Sequence, residues 1–134
     1  STIPNAISAA VSSIAGQLNA GAILPLTKSG ATAYNVSKFR PSTPILAVTS
    51  EEGVARRLQL AWGVTPLLIQ DQKTTTLTFT AAMNFAQEKG LLKEGDLAIQ
   101  TAGTLAGVSG STDLIKVGIV TTFKNRNQGN GNIL

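Results

Sequence analysis

Apolar positions along the chain change between helical and extended spacing, and this change predicts the order of its elements. From residue 3 to residue 18 they recur every three or four positions, which predicts an amphipathic helix with Pro4 tolerated in its first turn. Short apolar runs predict five strands, at residues 22–26, 44–48, 64–69, 97–100 and 114–120. Helical patterns separate the first four of these strands, at residues 31–39, 49–61 and 75–89.

Strands that alternate with helices favour a mostly parallel sheet covered on both faces. No helix separates the last two strands, so we expect the last strand to be antiparallel at an edge. We therefore predict an α/β fold, a three-layer α/β/α sandwich with a five-stranded, mostly parallel sheet in the order 3-2-1-4-5. Pro66 indicates that the third strand is also an edge, whereas Pro25 is unexpected in a central strand because it cannot donate to a ladder.

The composition describes one well-buried globular domain. Hydrophobic residues make up 43% of the chain and charged residues 13%, which is about half the usual charged share. A surface so poor in charge suggests contact with another domain or subunit, although a small Ala/Ser/Thr-rich protein explains it equally well. The net charge is +4, but the basic residues are scattered and aromatic residues are only 4%. We therefore expect no nucleic-acid partner.

Two residue types are missing, and their absence removes whole classes of chemistry. The chain contains no Cys and no His, which excludes disulfides, thiolate metal sites and the Ser-His-Asp arrangement. The carboxylates read as helix-terminal, turn and surface groups, not as a catalytic pair. No apolar run approaches the ~18 residues of a membrane span, and no signal segment is recognisable. We expect a cytoplasmic protein without a membrane partner.

A polar turn between the first strand and the second helix has the chemistry of a phosphate cradle. Small residues let backbone N–H groups converge there, hydroxyl side chains add donors, and a helix N-terminus adds partial positive charge. The alternative is that these side chains are plain helix caps. The residues of this turn are Thr27, Lys28, Ser29, Gly30 and Thr32.

The connection between the last two strands is a second candidate, because its glycines permit close backbone approach to a ligand. The alternative is a flexible connector. If the first and fourth strands are neighbours, both loops meet where the strand order reverses, the usual ligand site of open α/β sheets. The residues singled out in this connection are Gly103, Gly107, Gly110, Ser111 and Thr112.

Several sequence runs resemble one family over most of the chain. From about Ile7 to Val120 the chain is similar to the C-terminal, regulatory domain of pyruvate kinase. The runs that carry this resemblance include Thr27-Lys28-Ser29-Gly30, Phe39-Arg40-Pro41, Thr101-Ala102-Gly103 and Gly110-Ser111-Thr112-Asp113. The resemblance implies an isolated fragment of a longer protein, with the domain at residues 1–121 and an Asn/Gly-rich tail or linker at residues 122–134.

Pyruvate kinases transfer a phosphoryl group from phosphoenolpyruvate to ADP with magnesium and usually potassium, inside a barrel domain that has no counterpart here. The resemblance therefore implies no catalytic residue, metal or cofactor in this domain. It implies instead an allosteric site in which Thr27, Lys28, Ser29, Gly30 and Thr32 hold an effector phosphate while residues 103–112 close over the ligand. The implied partners are a phosphorylated small molecule, the protein's own barrel domain and further copies in a homo-oligomer.

The sequence departs from some relatives, which hold a second phosphate with a Trp and an Arg between the third and fourth strands. Lys73 is the only cation within residues 71–80. A monophosphate such as ribose 5-phosphate, glucose 6-phosphate or AMP is therefore at least as well supported as fructose 1,6-bisphosphate. The rival hypothesis is an assembly domain whose effector pocket is unused, and a small stand-alone enzyme is the weakest alternative.

Overall fold

The computed structural model describes residues 2–102 and 114–121. In these ranges four helices and five strands follow the order that the apolar pattern predicts. They are α1 (Ile3–Gln17), β1 (Ala22–Pro25), α2 (Ala31–Lys38), β2 (Ile45–Thr49), α3 (Glu52–Leu58), β3 (Val64–Leu68), α4 (Thr75–Glu88), β4 (Leu97–Ala102) and β5 (Leu114–Ile119).

The strands form one sheet in the order β3-β2-β1-β4-β5. β1 pairs in parallel with both β2 and β4, and β2 pairs in parallel with β3. β5 pairs antiparallel with β4, Leu97 facing Ile119 and Ala102 facing Leu114. The predicted topology is therefore confirmed, including the reversed last strand.

Helices cover both faces of the sheet. On one face α1 and α2 pack through residues such as Val11 and Val36 against Ile23, Ile45 and Ile99, and α3 extends this layer over β2 and β3. On the other face α4 packs on the central strands. The direction of chain progression reverses between β1 and β4, so the carboxyl ends of these two strands frame a switch point.

The two strand prolines are accommodated differently. Pro66 lies in β3 at the edge of the sheet, as predicted. Pro25 is the last residue of the central β1, where the β1–β2 ladder is interrupted between the pairs Ile23–Ile45 and Leu26–Val48. The register is the same on both sides of the interruption. The ladder thus tolerates a missing donor at the end of a central strand.

α3 is shorter than the sequence predicts. The pattern extends the helix to Ala61, but α3 ends at Leu58 and the amides of Gln59, Leu60 and Ala61 bond to carbonyls three residues earlier. The end of α3 therefore tightens and brings the chain round into β3. At the start of α3, the Thr49 hydroxyl accepts the amide of Glu51 at 3.1 Å.

The described residues contain no helix that is both long and apolar enough to cross a bilayer. The predicted tail at residues 122–134 lies outside the described residues, so its boundary stays a prediction.

Candidate functional site

The candidate phosphate cradle is the turn that joins β1 to α2, and Thr27 fixes its start. Thr27 is buried, its amide donates to the carbonyl of Val48 at 2.9 Å, and its hydroxyl oxygen accepts the amide of Gly30 at 2.8 Å. The first bond ties the turn to the neighbouring strand β2, and the second closes the turn upon itself. The backbone of the turn is therefore held in place before any ligand arrives.

Gly30 begins α2 in a conformation that a side chain would not tolerate. It has φ +96°, and an added Cβ would lie 3.1 Å from Cε2 of Tyr34. Without a side chain, Gly30 cannot cap the helix. The Ser29 hydroxyl oxygen instead accepts the amide of Ala31 at 3.3 Å.

The amino end of α2 therefore carries a partial positive charge directed at the turn. A hydroxyl that accepts an amide hydrogen still carries its own hydrogen, which it can donate to a ligand oxygen. Lys28 and Ser29 are exposed at the tip, and Lys28 adds a cationic side chain. Thr32 is buried in the first turn of α2. The sequence-predicted residues of this turn thus lie together, with donors and positive charge at one place.

The turn lies at the switch point between β1 and β4. The amide of Leu26 donates to the carbonyl of Thr101 at 2.8 Å, so the end of β4 is directly beside Thr27. Ala102 ends β4 and faces Leu114, whose carbonyl accepts the Thr101 hydroxyl at 2.8 Å. Ala102 and Leu114, the residues on either side of the β4–β5 connection, therefore lie at the same end of the sheet as the turn, where the parallel strands have their carboxyl ends.

The second predicted loop lies between these flanks. Gly103, Gly107, Gly110, Ser111 and Thr112 are outside the described residues. Their part in a shared cradle stays a prediction.

Ser50 is a polar residue at this edge that the sequence reasoning missed. It directly follows β2, and its hydroxyl donates to a carboxylate oxygen of Asp71 at 3.3 Å. Glu51 is within 3.4 Å of the same hydroxyl. The signal in the sequence is a hydroxyl directly after an apolar strand. Two carboxylates therefore accompany Ser50 after β2 and β3.

Asp96 has a perturbed pKa, but it lies at the opposite end of the sheet, directly before the amino end of β4. The backbone amide of Lys93 donates to its carboxylate at 2.9 Å and is the main cause of a pKa below the usual value; burial acts in the opposite direction, and the Lys93 ammonium, at 3.2 Å, lowers it further. The position of Asp96 before β4 makes it a structural group. Within residues 2–102 and 114–121, no cluster of three or more His, Cys, Asp and Glu side chains could hold a metal ion.

Comparison with known proteins identifies the family of this fold. A family model described as the alpha/beta domain of pyruvate kinase matches residues 5–118. The chain belongs to this family.

Pyruvate kinases from several bacteria align with nearly the whole chain. Pyruvate kinase 2 of Synechocystis sp. is 61% identical over 130 residues, and the pyruvate kinase of Geobacillus stearothermophilus is 42% identical over the same length. The pyruvate kinase of Clostridium acetobutylicum is 40% identical over 114 residues. The first two alignments cover 97% of this chain but 22% of each relative, and the third covers 85% of the chain and 24% of the relative. This alpha/beta domain therefore spans about a fifth of the length of the curated relatives it matches.

Proposed function

We propose that this alpha/beta domain binds the phosphate group of a small phosphorylated effector and transmits its binding to a pyruvate kinase barrel. The parent enzyme transfers phosphate from phosphoenolpyruvate to ADP in glycolysis, in the cytoplasm, with magnesium and potassium at the barrel. The observation that carries the proposal is the rigid turn of Thr27, Ser29 and Gly30 at the β1–β4 switch point, where α2 begins. Ligand binding there biases the arrangement of domains and subunits, and so the activity of the distant barrel.

The chemistry of the turn favours a phosphate over a neutral ligand. The amino end of α2, the hydroxyls of Thr27 and Ser29 and the Lys28 ammonium all favour negative charge. Lys73 follows β3, and β3 is two strands away from β1 in the sheet. The donors of the cradle all come from one turn, so this cradle by itself serves one phosphate. A monophosphate is therefore at least as well supported as a bisphosphate.

Isothermal titration tests the phosphate site, using ribose 5-phosphate, glucose 6-phosphate, AMP and fructose 1,6-bisphosphate in turn. Ser29→Glu puts a negative charge at the tip of the turn and should weaken binding at least about tenfold, equivalent to about 1.4 kcal/mol. Ser42→Glu is the matched control, since Ser42 is also exposed but lies in the α2–β2 connection at the other edge. Equal heats for wild type and Ser29→Glu would remove the phosphate proposal.

The isolated chain should show no turnover with phosphoenolpyruvate, ADP, magnesium and potassium, because in this proposal the catalytic groups belong to the barrel. Activity of the lone chain would contradict that assignment.

The edge strand β5 supports a second role, in subunit assembly. β5 is the last strand in the sheet order, and its side chains Val117 and Ile119 are 46% and 63% exposed. An edge strand with apolar side chains is a template for pairing with another chain. We propose that a homo-oligomer of the parent enzyme uses this edge.

Sedimentation velocity tests this second role, with Ile119→Lys expected to shift dimers to monomers. Lys at an edge blocks strand pairing because it would bring a charge into the new interface. Dimers of the wild-type chain combined with no phosphate-ester binding at millimolar ligand would favour the pure assembly domain. Monomers at all concentrations would remove the edge-strand role.

A further inference from the structure

The ring of Tyr34 lies against the glycine of the phosphate cradle. A Cβ on Gly30 would be 3.1 Å from Cε2 and 3.5 Å from Cδ2 of Tyr34. Tyr34 is one helical turn after Gly30, and long side chains in a helix point back toward its amino end. The Tyr34 amide also donates to the Gly30 carbonyl at 3.0 Å. Tyr34 therefore contacts Gly30 through both its backbone and its side chain.

Val54 supports the same place from α3. Its Cγ1 would be 3.5 Å from the same Cβ position on Gly30. Val54 is buried and packs in a core cluster with Ala33 and Leu58, whereas Tyr34 is 37% exposed. The space beside the Gly30 α-carbon is thus bordered by an aromatic ring on α2 and by an anchored aliphatic side chain on α3.

The conformation of Gly30 decides where two amides of the cradle point. Glycine has access to more backbone conformations than any other residue, and Gly30 has φ +96°. Its amide donates to the Thr27 hydroxyl at 2.8 Å, and the amide of Ala31 donates to the Ser29 hydroxyl at 3.3 Å. Rotation of the Gly30 backbone would turn these amides away from the two hydroxyls. A contact that excludes other conformations of Gly30 therefore keeps the cradle closed.

We propose that Tyr34 is a positioning residue, whose ring holds Gly30 in its left-handed conformation and so keeps the donors of the cradle oriented for a phosphate. The proposal rests on the proposed function, to which it adds the residue that orders the site before the ligand arrives. Tyr34 acts through Gly30 and not by touching the ligand. A phosphate then meets a closed turn, so less conformational entropy is lost on binding. Because the flat ring makes this contact, phenylalanine should replace tyrosine without loss.

Hydrogen exchange of the 134-residue chain without ligand tests the restraint on Gly30. In Tyr34→Ala the Gly30 amide should exchange about tenfold faster, the factor that corresponds to freeing the backbone of one residue. In Tyr34→Phe it should exchange as in wild type. The Leu26 amide, which donates to the Thr101 carbonyl at 2.8 Å, is the internal control. Its exchange should stay within about twofold in both variants, because the sheet is unchanged.

Titration with inorganic phosphate, followed by the amide chemical shifts of the turn, tests the effect on binding. Tyr34→Ala should bind about tenfold more weakly, whereas Tyr34→Phe should bind within about twofold of wild type. Phe39→Ala is the matched control, since it removes an aromatic side chain of similar exposure, 45%, from the other end of α2. It should leave the phosphate affinity unchanged. Circular dichroism at the temperature of the titration checks that each variant is folded.

Three outcomes would overturn the proposal. The first is unchanged exchange of the Gly30 amide in Tyr34→Ala. The second is equal phosphate affinity of wild type and Tyr34→Ala. The third is a loss of affinity in Tyr34→Phe as large as in Tyr34→Ala, which would assign to the hydroxyl a direct contact with the ligand.

The same measurements separate this proposal from the proposed function. Phosphate binding that is weakened by Ser29→Glu but not by Tyr34→Ala would remove the role of Tyr34 and leave the effector site standing. Faster exchange of the Gly30 amide in Tyr34→Ala, together with no phosphate binding by the wild-type chain, would remove the effector site and leave the restraint on Gly30 standing.

Discussion

Replacing Gly21 by alanine should destabilise the domain, although most exchanges of this kind in ordinary backbone are favourable. Gly21 lies between α1 and β1, and its amide donates to the carbonyl of Leu97 at 2.8 Å. An added Cβ would lie 2.8 Å from Oδ2 of Asp96 and 3.0 Å from its Cβ and Cγ. These distances are too short for nonbonded atoms, so the Asp96 side chain or the backbone must move.

The Asp96 side chain is not free to move, because the Lys93 amide donates to its Oδ2 at 2.9 Å and the Lys93 ammonium lies 3.2 Å from its Oδ1. Alanine at Gly21 should gain about 0.4–1 kcal/mol through the lower entropy of the unfolded chain. Displacing a carboxylate from a hydrogen bond of this kind costs about 1.5–3 kcal/mol. The net expectation is a loss of about 0.5–2.6 kcal/mol of unfolding free energy, or roughly 2–10 °C in the thermal midpoint.

Urea unfolding followed by circular dichroism measures the effect, and the chain supplies two controls. Gly16→Ala should stabilise by about 0.5–1 kcal/mol, since Gly16 is exposed within α1 and an added Cβ meets nothing within 4 Å. In an Asp96→Ala background the contacts with Oδ2 and Cγ are removed and only the 3.0 Å approach to Cβ remains, so Gly21→Ala should cost less than in the wild-type chain. The reasoning is refuted if Gly21→Ala stabilises the wild-type chain as much as Gly16→Ala does.

Three further predictions concern single side chains. The pKa of Asp96 is lowered in the folded state, so its ionised form stabilises the fold. This stabilisation is complete above the unfolded pKa of about 3.9 and is lost as the pH falls through the folded value. Asp96→Asn should therefore reduce the loss of urea stability between neutral and acid pH, and an unchanged pH profile would contradict this. Thr74 caps α4 by accepting an amide at 3.1 Å, so Thr74→Ala should cost about 1 kcal/mol in thermal unfolding while the exposed Thr76→Ala costs nothing. The Gln100 side chain is buried, and its oxygen has no hydrogen-bond partner among the described residues. Gln100→Leu should therefore raise the unfolding free energy by about 1 kcal/mol. A decrease of that size would show that the fold needs the amide.

The sequence pattern was sufficient for the elements and for much of the topology. Helical and extended spacing of apolar residues is a local property, and β1 to β5 and α1 to α4 appear in the predicted order with ends that differ by a few residues. The proline at position 66 correctly marked an edge strand, because a missing donor is tolerated there. The early end of α3 at Leu58 was not predicted, since the tight turn after it depends on how the chain must enter β3.

The turn of Thr27, Ser29 and Gly30 was found from local chemistry alone, because small residues and hydroxyls between a strand and a helix are visible in the sequence. The residues beside this turn were not found from the sequence. Ser50 and Asp71 approach the same edge from separate parts of the chain, and only the pairing of β1, β2 and β3 brings them there.

The surroundings of Trp62 were also decided only by the tertiary structure. Its ring is half exposed and lies under Arg40, which comes from a different connection.

The amino-acid sequence by itself therefore determined the alternation of strands and helices, the edge position of β3 and the chemistry of the β1–α2 turn, since each depends on residues close together in the chain. Only the tertiary structure decided that Gly21 touches Asp96 and that Arg40 stacks on Trp62. These contacts join residues 22 to 75 positions apart, and they follow from the register of the strands and the packing of the connections, which no local pattern encodes.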